Sequence, residues 1–441
     1  MAPSSGRRRR ARVDSGETDV TVSGPTGGAT SLGDRIDQAN EEVLDRLTGT
    51  ETTWIGVGVA RDVIPGMEPG LILHAGPPIA WDRMAPVQRQ SILGAVIFEG
   101  LAPDTSTARG LIERGEVRVA PCHEFATVGA MTGATSASMA VHIVENDRFG
   151  NRAFCKVVER ELQFGVLEPR VYEFLAWIRD VLSPALDDTL KRAGGVKLVA
   201  HTARALHMGD ECHNRNVAAT ALLVRDLGPT IAMVAPPAHV GEVLDYFRKI
   251  DQAYLGLAMA SAKALTDAAN GVEWSTIVTA LARNGVEVGI RVSGLGMQWF
   301  TGPAQEIDGA FMPGFGRSDA TPDIGDSAIV ETVGLGAMAM ANALTAGAIA
   351  GGSAQQSIAR TRDNMQIVAG RSKSFTIPVM DFEGTPVGID IRKVVATGIL
   401  PYVLTGIAGN RPPWGRVGAG VVRPPIEPFV AALREFGRRS A

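Results

Sequence analysis

The sequence predicts a mixed fold, α+β or mixed α/β, in which two α/β units flank a helical middle part. Three observations predict it. Short β-type runs alternate with helix-spaced segments over residues 32–160, helix-spaced segments dominate 161–283, and strict apolar–polar alternation returns at Val286–Val292. At 441 residues the chain also exceeds one ordinary core, since single cores stop growing at roughly 250–300 residues.

Residues 1–31 are rich in Ser, Gly, Thr and Arg and read as a disordered extension bearing five arginines, Arg7, Arg8, Arg9, Arg10 and Arg12. The unit 32–160 then opens with a helix, because Ile36, Ala39, Val43, Leu44 and Leu47 recur at helical spacing before Gly49. Strand-like runs at Trp54–Val59, Leu71–Leu73 and Val117–Ala120 surround a helical run at Val87–Phe98. In the middle part, 161–283, helices are expected at Tyr172–Leu182, Val217–Arg225, Val240–Phe247, Tyr254–Ala269 and Trp274–Arg283. The last unit, 284–441, starts at the turn pair Asn284-Gly285. It adds a buried small-residue helix over Thr332–Ala359, β-like runs at Phe375–Val379 and Val387–Ile391, and an amphipathic end at Pro428–Phe436.

Composition excludes several function classes. The formal net charge is −4, and removing the five terminal arginines leaves 38 basic against 47 acidic residues, so the body carries no basic footprint for nucleic acid. Thr332–Ala359 is uncharged but made mostly of Ala, Gly, Ser and Thr, which gain too little from lipid to span a membrane. Cys122, Cys155 and Cys212 are odd in number and widely spaced, which points away from a disulfide framework and towards a reducing cytoplasm.

Four segments could carry chemistry. On the strand 286–292, Glu287, Gly289 and Arg291 share a face, and the missing side chain at Gly289 suggests a slot for a small anion or amide. Ser293, Gly294 and Gly296 follow, with backbone N–H groups that could converge on an oxyanion. The plainer alternative is a cross-face Glu–Arg pair before a tight turn. His207–Asn216 is dense in polar groups just ahead of an apolar helix, so Asp210 could cap that helix, Glu211 exchange protons and Arg215 hold an anion. A metal site from His207, Asp210 and His213 matches no zinc spacing, and none is expected. Asp323, Asp326 and Ser327, followed by Glu331, open the small-residue segment: Asp326 or Ser327 could cap it, or the two acids Asp323 and Asp326 could hold a substrate amine or take a proton. Pro121-Cys122-His123-Glu124 ends a strand, where Cys122 reads as a buried inert thiol and His123 as a site candidate, like His74 in His74–Pro78. Ser357–Arg362 resembles the S-x-R-T-R phosphate loop of aspartate and ornithine carbamoyltransferases, but its serine is one residue too far away and the run has helical periodicity.

Taken in order, His74–Pro78, Phe98–Gly100, Pro121–His123, Thr135–Met139, Val144–Asn146, Gly150–Ala153, Met208–Glu211, Arg283–Gly285, Gly289–Gly296, Trp299–Thr301, Gly325–Ile329 and Asp390–Arg392 resemble the YlbE-like family from about residue 36 to 436. That resemblance implies a subunit of a three-component oxamate carbamoyltransferase, moving a carbamoyl group between oxalurate/oxamate and phosphate. It implies carbamoyl phosphate as co-substrate with no other cofactor, and it implies partners: an FdrA-like subunit resembling acyl-CoA synthetases and a third small subunit, in an oligomer. On this reading His123, Asp210, Glu211 and Asp326 serve acid–base chemistry, and His74, Asn284, Arg215, Arg291, Ser293, Gly294 and Gly296 bind substrate. The arginine-bearing extension departs from the family pattern, which leaves room for a paralogue acting on another ureido compound. A non-catalytic binding or scaffold subunit, and a stand-alone amidohydrolase, are the competing classes.

Overall fold

The computed structural model describes residues 31–345 and 352–440. The arginine-bearing extension and residues 346–351 of the small-residue segment lie outside them. Among the described residues the architecture is mixed α+β, with several small sheets and helices packed between them.

The chain enters through the helix Leu32–Thr48, started by a capping box in which Ser31 Oγ accepts from the Asp34 N–H at 3.2 Å. Its apolar stripe of Val43 and Leu47 packs on the helix Leu255–Ala269, which covers a five-stranded sheet in the order Thr127–Val128, Arg152–Lys156, Ala140–Asn146, Thr52–Val59, Val196–Lys197. The helix Leu255–Ala269 crosses this sheet and is buried on nearly every face. Gly256 permits the approach, because a Cβ there would stand 3.2 Å from the His142 ring. Helices of the middle stretch, including Ser183–Ala193, Leu198–His207 and Val217–Val234, share one core with this sheet through Trp54, Val144, Leu186, Leu222 and Tyr254. Val217–Val234 is long and apolar enough to cross a membrane by length and composition, and its inner face is packed against these helices.

Further along, a four-stranded sheet has the order Phe300–Pro303, Glu287–Val292, Val278–Asn284, Ile324–Gly325, and a three-stranded sheet the order Asp308–Phe311, Arg416–Val422, Val403–Ala408. Both contribute to a second core around Leu281, Ile290, Ile407 and Phe429.

Two expectations are corrected. Trp274–Arg283 is not a helix: Val278–Asn284 is a central strand, buried at every position and paired on both sides, and such a strand has a continuous apolar run with no alternation to betray it. The small-residue segment is not one helix either. Ile329–Thr332 is a single turn, Gly334 and Gly336 take positive φ (94° and 59°), a 3-10 turn covers Gly336–Ala339, and a separate helix runs over Ala354–Met365. Ser357–Arg362 falls inside that last helix.

Candidate functional site

Three walls built from five stretches of sequence enclose a cleft of about 630 Å³: residues 158–164, residues 214–217 with 250–252, and residues 310–312 with 416–419. Each presents an arginine. Arg160 stands on a turn organised by Glu159, whose buried carboxylate accepts the N–H groups of Glu161, Leu162 and Gln163 at 2.7, 2.7 and 2.9 Å and pairs with Lys156 at 3.1 Å. Arg215 is held by its Nε donating to the Gly209 carbonyl at 3.1 Å, with Asp210 at 3.4 Å. Arg416 begins a strand, and its Nε donates to the Gly418 carbonyl at 3.1 Å. Solvent reaches Arg416 through the cleft although protein surrounds it, and that surrounding pushes its guanidinium pKa down. Among the described residues neither Arg160 nor Arg416 has a carboxylate within ion-pair range. Of the acids in the walls, Glu159 is committed as above and Asp251 is exposed. A neighbouring groove of about 700 Å³ shares Arg160 and Ile250, but its charges are paired among themselves, Arg170 with Glu161 and Glu168, Lys249 with Asp245.

A small cavity of about 20 Å³ adjoins the cleft, sharing Gln163, Phe164, Asn214, Gln252 and Arg416 with it and adding Met131, His213 and Ser327. That is room for one water-sized group. Buried acids surround it. Asp210 accepts the Ala219 N–H at 2.8 Å and so plugs the start of the helix Val217–Val234 with a carboxylate of its own. Glu211 accepts from the N–H groups of His213 (2.9 Å) and Arg215 (2.5 Å), yet burial, reinforced by the charge of Glu331, pushes its pKa up to about 8. Glu331 in turn accepts from His213 Nδ1 at 2.8 Å and from the N–H groups of Leu404 and Ala337 at 3.1 and 3.2 Å. Met131 and Cys212, beside the small cavity, hold positive φ (50° and 60°), a strained conformation for residues with a Cβ.

Behind Ser327 lies a second buried cluster. Asp326 accepts the N–H groups of Gly76 at 2.7 Å and Gly129 at 2.9 Å, tying two loops to its own, and burial raises its pKa to about 7 against those bonds. His123 Nε2 stands 3.6 Å from Asp326. Burial, with Lys263 and Arg291 nearby, holds the ring's pKa well below its usual value, so the contact joins a neutral imidazole to the carboxyl group. Among the described residues neither of its ring nitrogens has a hydrogen-bond partner.

The remaining expected residues turn inward. Arg291 pairs with Glu124 and stacks on Trp299 at 4.3 Å, so it has a protein partner rather than needing an anion. The slot at Gly289 is filled: a Cβ there would stand 2.9 Å from both Pro77 and Trp299. Ser293 Oγ donates to the Ala269 carbonyl at 2.6 Å, and the N–H groups of Gly294 and Gly296 are taken by Ser275 and Ser293 carbonyls, so this turn converges on the fold and not on a ligand. Asn284 closes a turn by accepting the Val286 and Glu287 N–H groups at 3.0 and 2.7 Å. His74 Nδ1 bonds the Ala75 carbonyl at 2.8 Å and burial lowers its pKa to about 4. His207 bonds Thr376 at the surface, and among the described residues no three His, Cys, Asp or Glu side chains form a metal-binding group.

The family profile "Oxamate carbamoyltransferase subunit AllG" matches residues 117–327, a span that holds His123, Asp210, Glu211, His213, Arg215 and Asp326. The Escherichia coli K12 protein named oxamate carbamoyltransferase subunit AllG is 42% identical over 405 residues, covering 90% of this chain and 97% of that protein. The chain belongs to the AllG family. Another E. coli K12 protein similar to it, YahG, whose name declares it uncharacterized, is 44% identical over 91% of this chain and 86% of its own length. A crystal structure from Enterococcus faecalis V583, titled a conserved protein of unknown function, superposes with a TM-score of 0.90 at 41% identity, covering 93% of this chain and 99% of that one.

In this AllG-family chain the structure brings Arg215 to the cleft, buries Asp210 and Glu211 behind its wall and sets Asp326 with His123 behind its inner end, while Arg291, Asn284, His74 and the 293–296 turn serve other loops. Sequence reasoning missed Arg160 and Arg416 and left His213 and Glu331 without a site role. Arg416 did leave a signal as the lone charge ahead of the apolar, glycine-rich run Val417–Val422. Chemically, guanidinium groups at a wet cleft can hold small anions by charge-assisted bonds, and the histidine lining the small cavity can move a proton.

Proposed function

We propose that this AllG-family chain is the substrate-holding subunit of a cytoplasmic oxamate-type carbamoyltransferase, which moves a carbamoyl group between a ureido or oxamate-type acid and phosphate. An FdrA-like subunit and a third small subunit complete the enzyme. The observation that carries this reading is the cleft with three arginines, two of them without a carboxylate partner among the described residues. Oxamate, phosphate and carbamoyl phosphate are compact anions that such guanidinium groups suit, and 630 Å³ exceeds what any one of them fills.

Calorimetric titration of the chain with phosphate, oxamate and carbamoyl phosphate is the first test. Losing one charge-assisted contact of about 1.5–3 kcal/mol weakens binding roughly tenfold to a hundredfold, so Arg416→Ala and Arg215→Ala are expected to raise Kd by that factor while Arg291→Ala leaves it unchanged. The wild-type chain mixed with its two partners should then turn oxalurate and phosphate into oxamate and carbamoyl phosphate. Equal affinity in Arg416→Ala and wild type, or oxamate release without phosphate, would sink this reading.

A further inference from the structure

We infer that His213 is the proton-transfer residue of this site, positioned by Glu331 and working on the amide end of a substrate whose anionic end lies by Arg416. The inference rests on the carbamoyl-transfer reading above and deepens it. Three observations lead there. His213 is buried, its Nδ1 is committed to Glu331 at 2.8 and 3.1 Å, and its Nε2 makes no hydrogen bond to the described residues yet is not sealed from solvent; the ring lines the small cavity. Glu331 has no freedom to turn away: it also accepts the Leu404 and Ala337 N–H groups, and Gly336 crowds it so closely that a Cβ there would stand 2.2 Å from Oε1. Arg416 lines both the wide cleft and the small cavity that His213 lines, so an anion held by Arg416 in the cleft stands next to the ring.

An imidazole with one nitrogen fixed by a buried carboxylate presents the other as an oriented proton acceptor. The remaining charged groups at the ring are Glu211, whose carboxyl accepts the His213 N–H, and Arg416 on the wall of the small cavity. In the direction that builds the ureido acid, the acceptor's amide nitrogen forms a bond to the carbamoyl carbon. The bond from that carbon to the phosphate oxygen breaks, and its electron pair leaves with phosphate. The proton lost by the attacking nitrogen goes to Nε2 of His213 and then to the departing phosphate, which leaves as hydrogen phosphate. Glu331, bonded to Nδ1, stabilises the transient imidazolium. Phosphorolysis runs the same steps backwards.

The test uses the complete three-subunit enzyme with oxamate and carbamoyl phosphate. His213→Asn keeps a side-chain nitrogen close to the Nδ1 position, and so the Glu331 bond, but removes Nε2. It is expected to lower kcat about 10²–10⁴-fold with KM for carbamoyl phosphate nearly unchanged. Added imidazole should restore part of the turnover of His213→Ala, which a purely structural histidine would not allow. Glu331→Gln should likewise lower kcat with KM for carbamoyl phosphate nearly unchanged, because the imidazolium loses its counter-charge. Wild-type kcat in His213→Asn, or a change in KM alone, overturns this inference while leaving the transferase reading standing. A wild-type complex that does not turn over the pair overturns both.

Discussion

Replacing Arg283 by methionine is expected to destabilise the chain by about 3–5 kcal/mol, read as a large drop in the urea midpoint. The guanidinium is 1% exposed and almost fully bonded: Nε and Nη2 donate to the two oxygens of Asp323 at 2.8 and 3.0 Å, Nη1 to the Gly325 carbonyl at 2.6 Å, and Nη2 also to Thr405 at 3.2 Å. Methionine would leave the Asp323 carboxylate, itself 3% exposed, without a counter-charge inside the protein. Asp323 would then have to take up a proton or draw in water, and either route is costly. The pair is not thereby a large net source of stability, since its formation strips two ions of water. Arg283→Met with Asp323→Leu should therefore recover most of the loss, and a double variant no better than the single one would contradict the account. Because Arg283 ties a central strand to the Asp323–Gly325 segment and to Thr405, loosening it also frees Asp326 and Ser327 at the inner end of the cleft.

The same strand explains what could be read from the sequence and what could not. Glu287–Val292 was legible because its outer positions are polar enough for alternation to show, and Leu255–Ala269 was legible from its length. Val278–Asn284 is covered on both faces, and its run Val278, Ala280, Leu281, Ala282 has the apolar content of a helix core. Over 333–343 the apolar content was right and the shape was not, since Gly334 and Gly336 turn the backbone where helical spacing alone would continue it. At the cleft, the dense run 207–216 drew attention to Asp210, Glu211 and Arg215 through its composition. Arg160 and Arg416 come from a turn and a strand start more than 250 residues apart, and only tertiary packing places them on one cavity. Arg291 misled for the opposite reason: its partner Glu124 and its platform Trp299 lie on other segments, so nothing on its own strand showed that the charge was already met.

Replacing His142 by leucine is expected to remove one defined acid-side loss of stability, which sets in below pH 6.5. His142 lies on the strand Ala140–Asn146, 3% exposed, edge-on to Trp54 at 5.2 Å, with neither ring nitrogen bonded to any of the described residues. Burial alone pushes its pKa from 6.5 to about 3. The ring therefore stays neutral in the fold while the unfolded chain takes up a proton near pH 6.5. Its contribution is whole above pH 6.5 and is lost as pH falls towards 3, by about 2 kcal/mol at pH 5. Asp326 and Glu211 act with the opposite sign. Their folded pKa values, about 7 and about 8, lie above the ordinary 3.8 and 4.5, so the fold loses stability as pH rises through those windows. A stability curve of the wild type alone mixes the two trends, whereas the difference between His142→Leu and wild type isolates one ring. That difference should be about 2 kcal/mol larger at pH 5 than at pH 8, on top of a pH-independent gain of about 1–3 kcal/mol from removing two unpaired buried nitrogens. Parallel curves for the two proteins would mean that the ring is protonated or hydrated inside the fold, and the burial argument for His142 would fail with them.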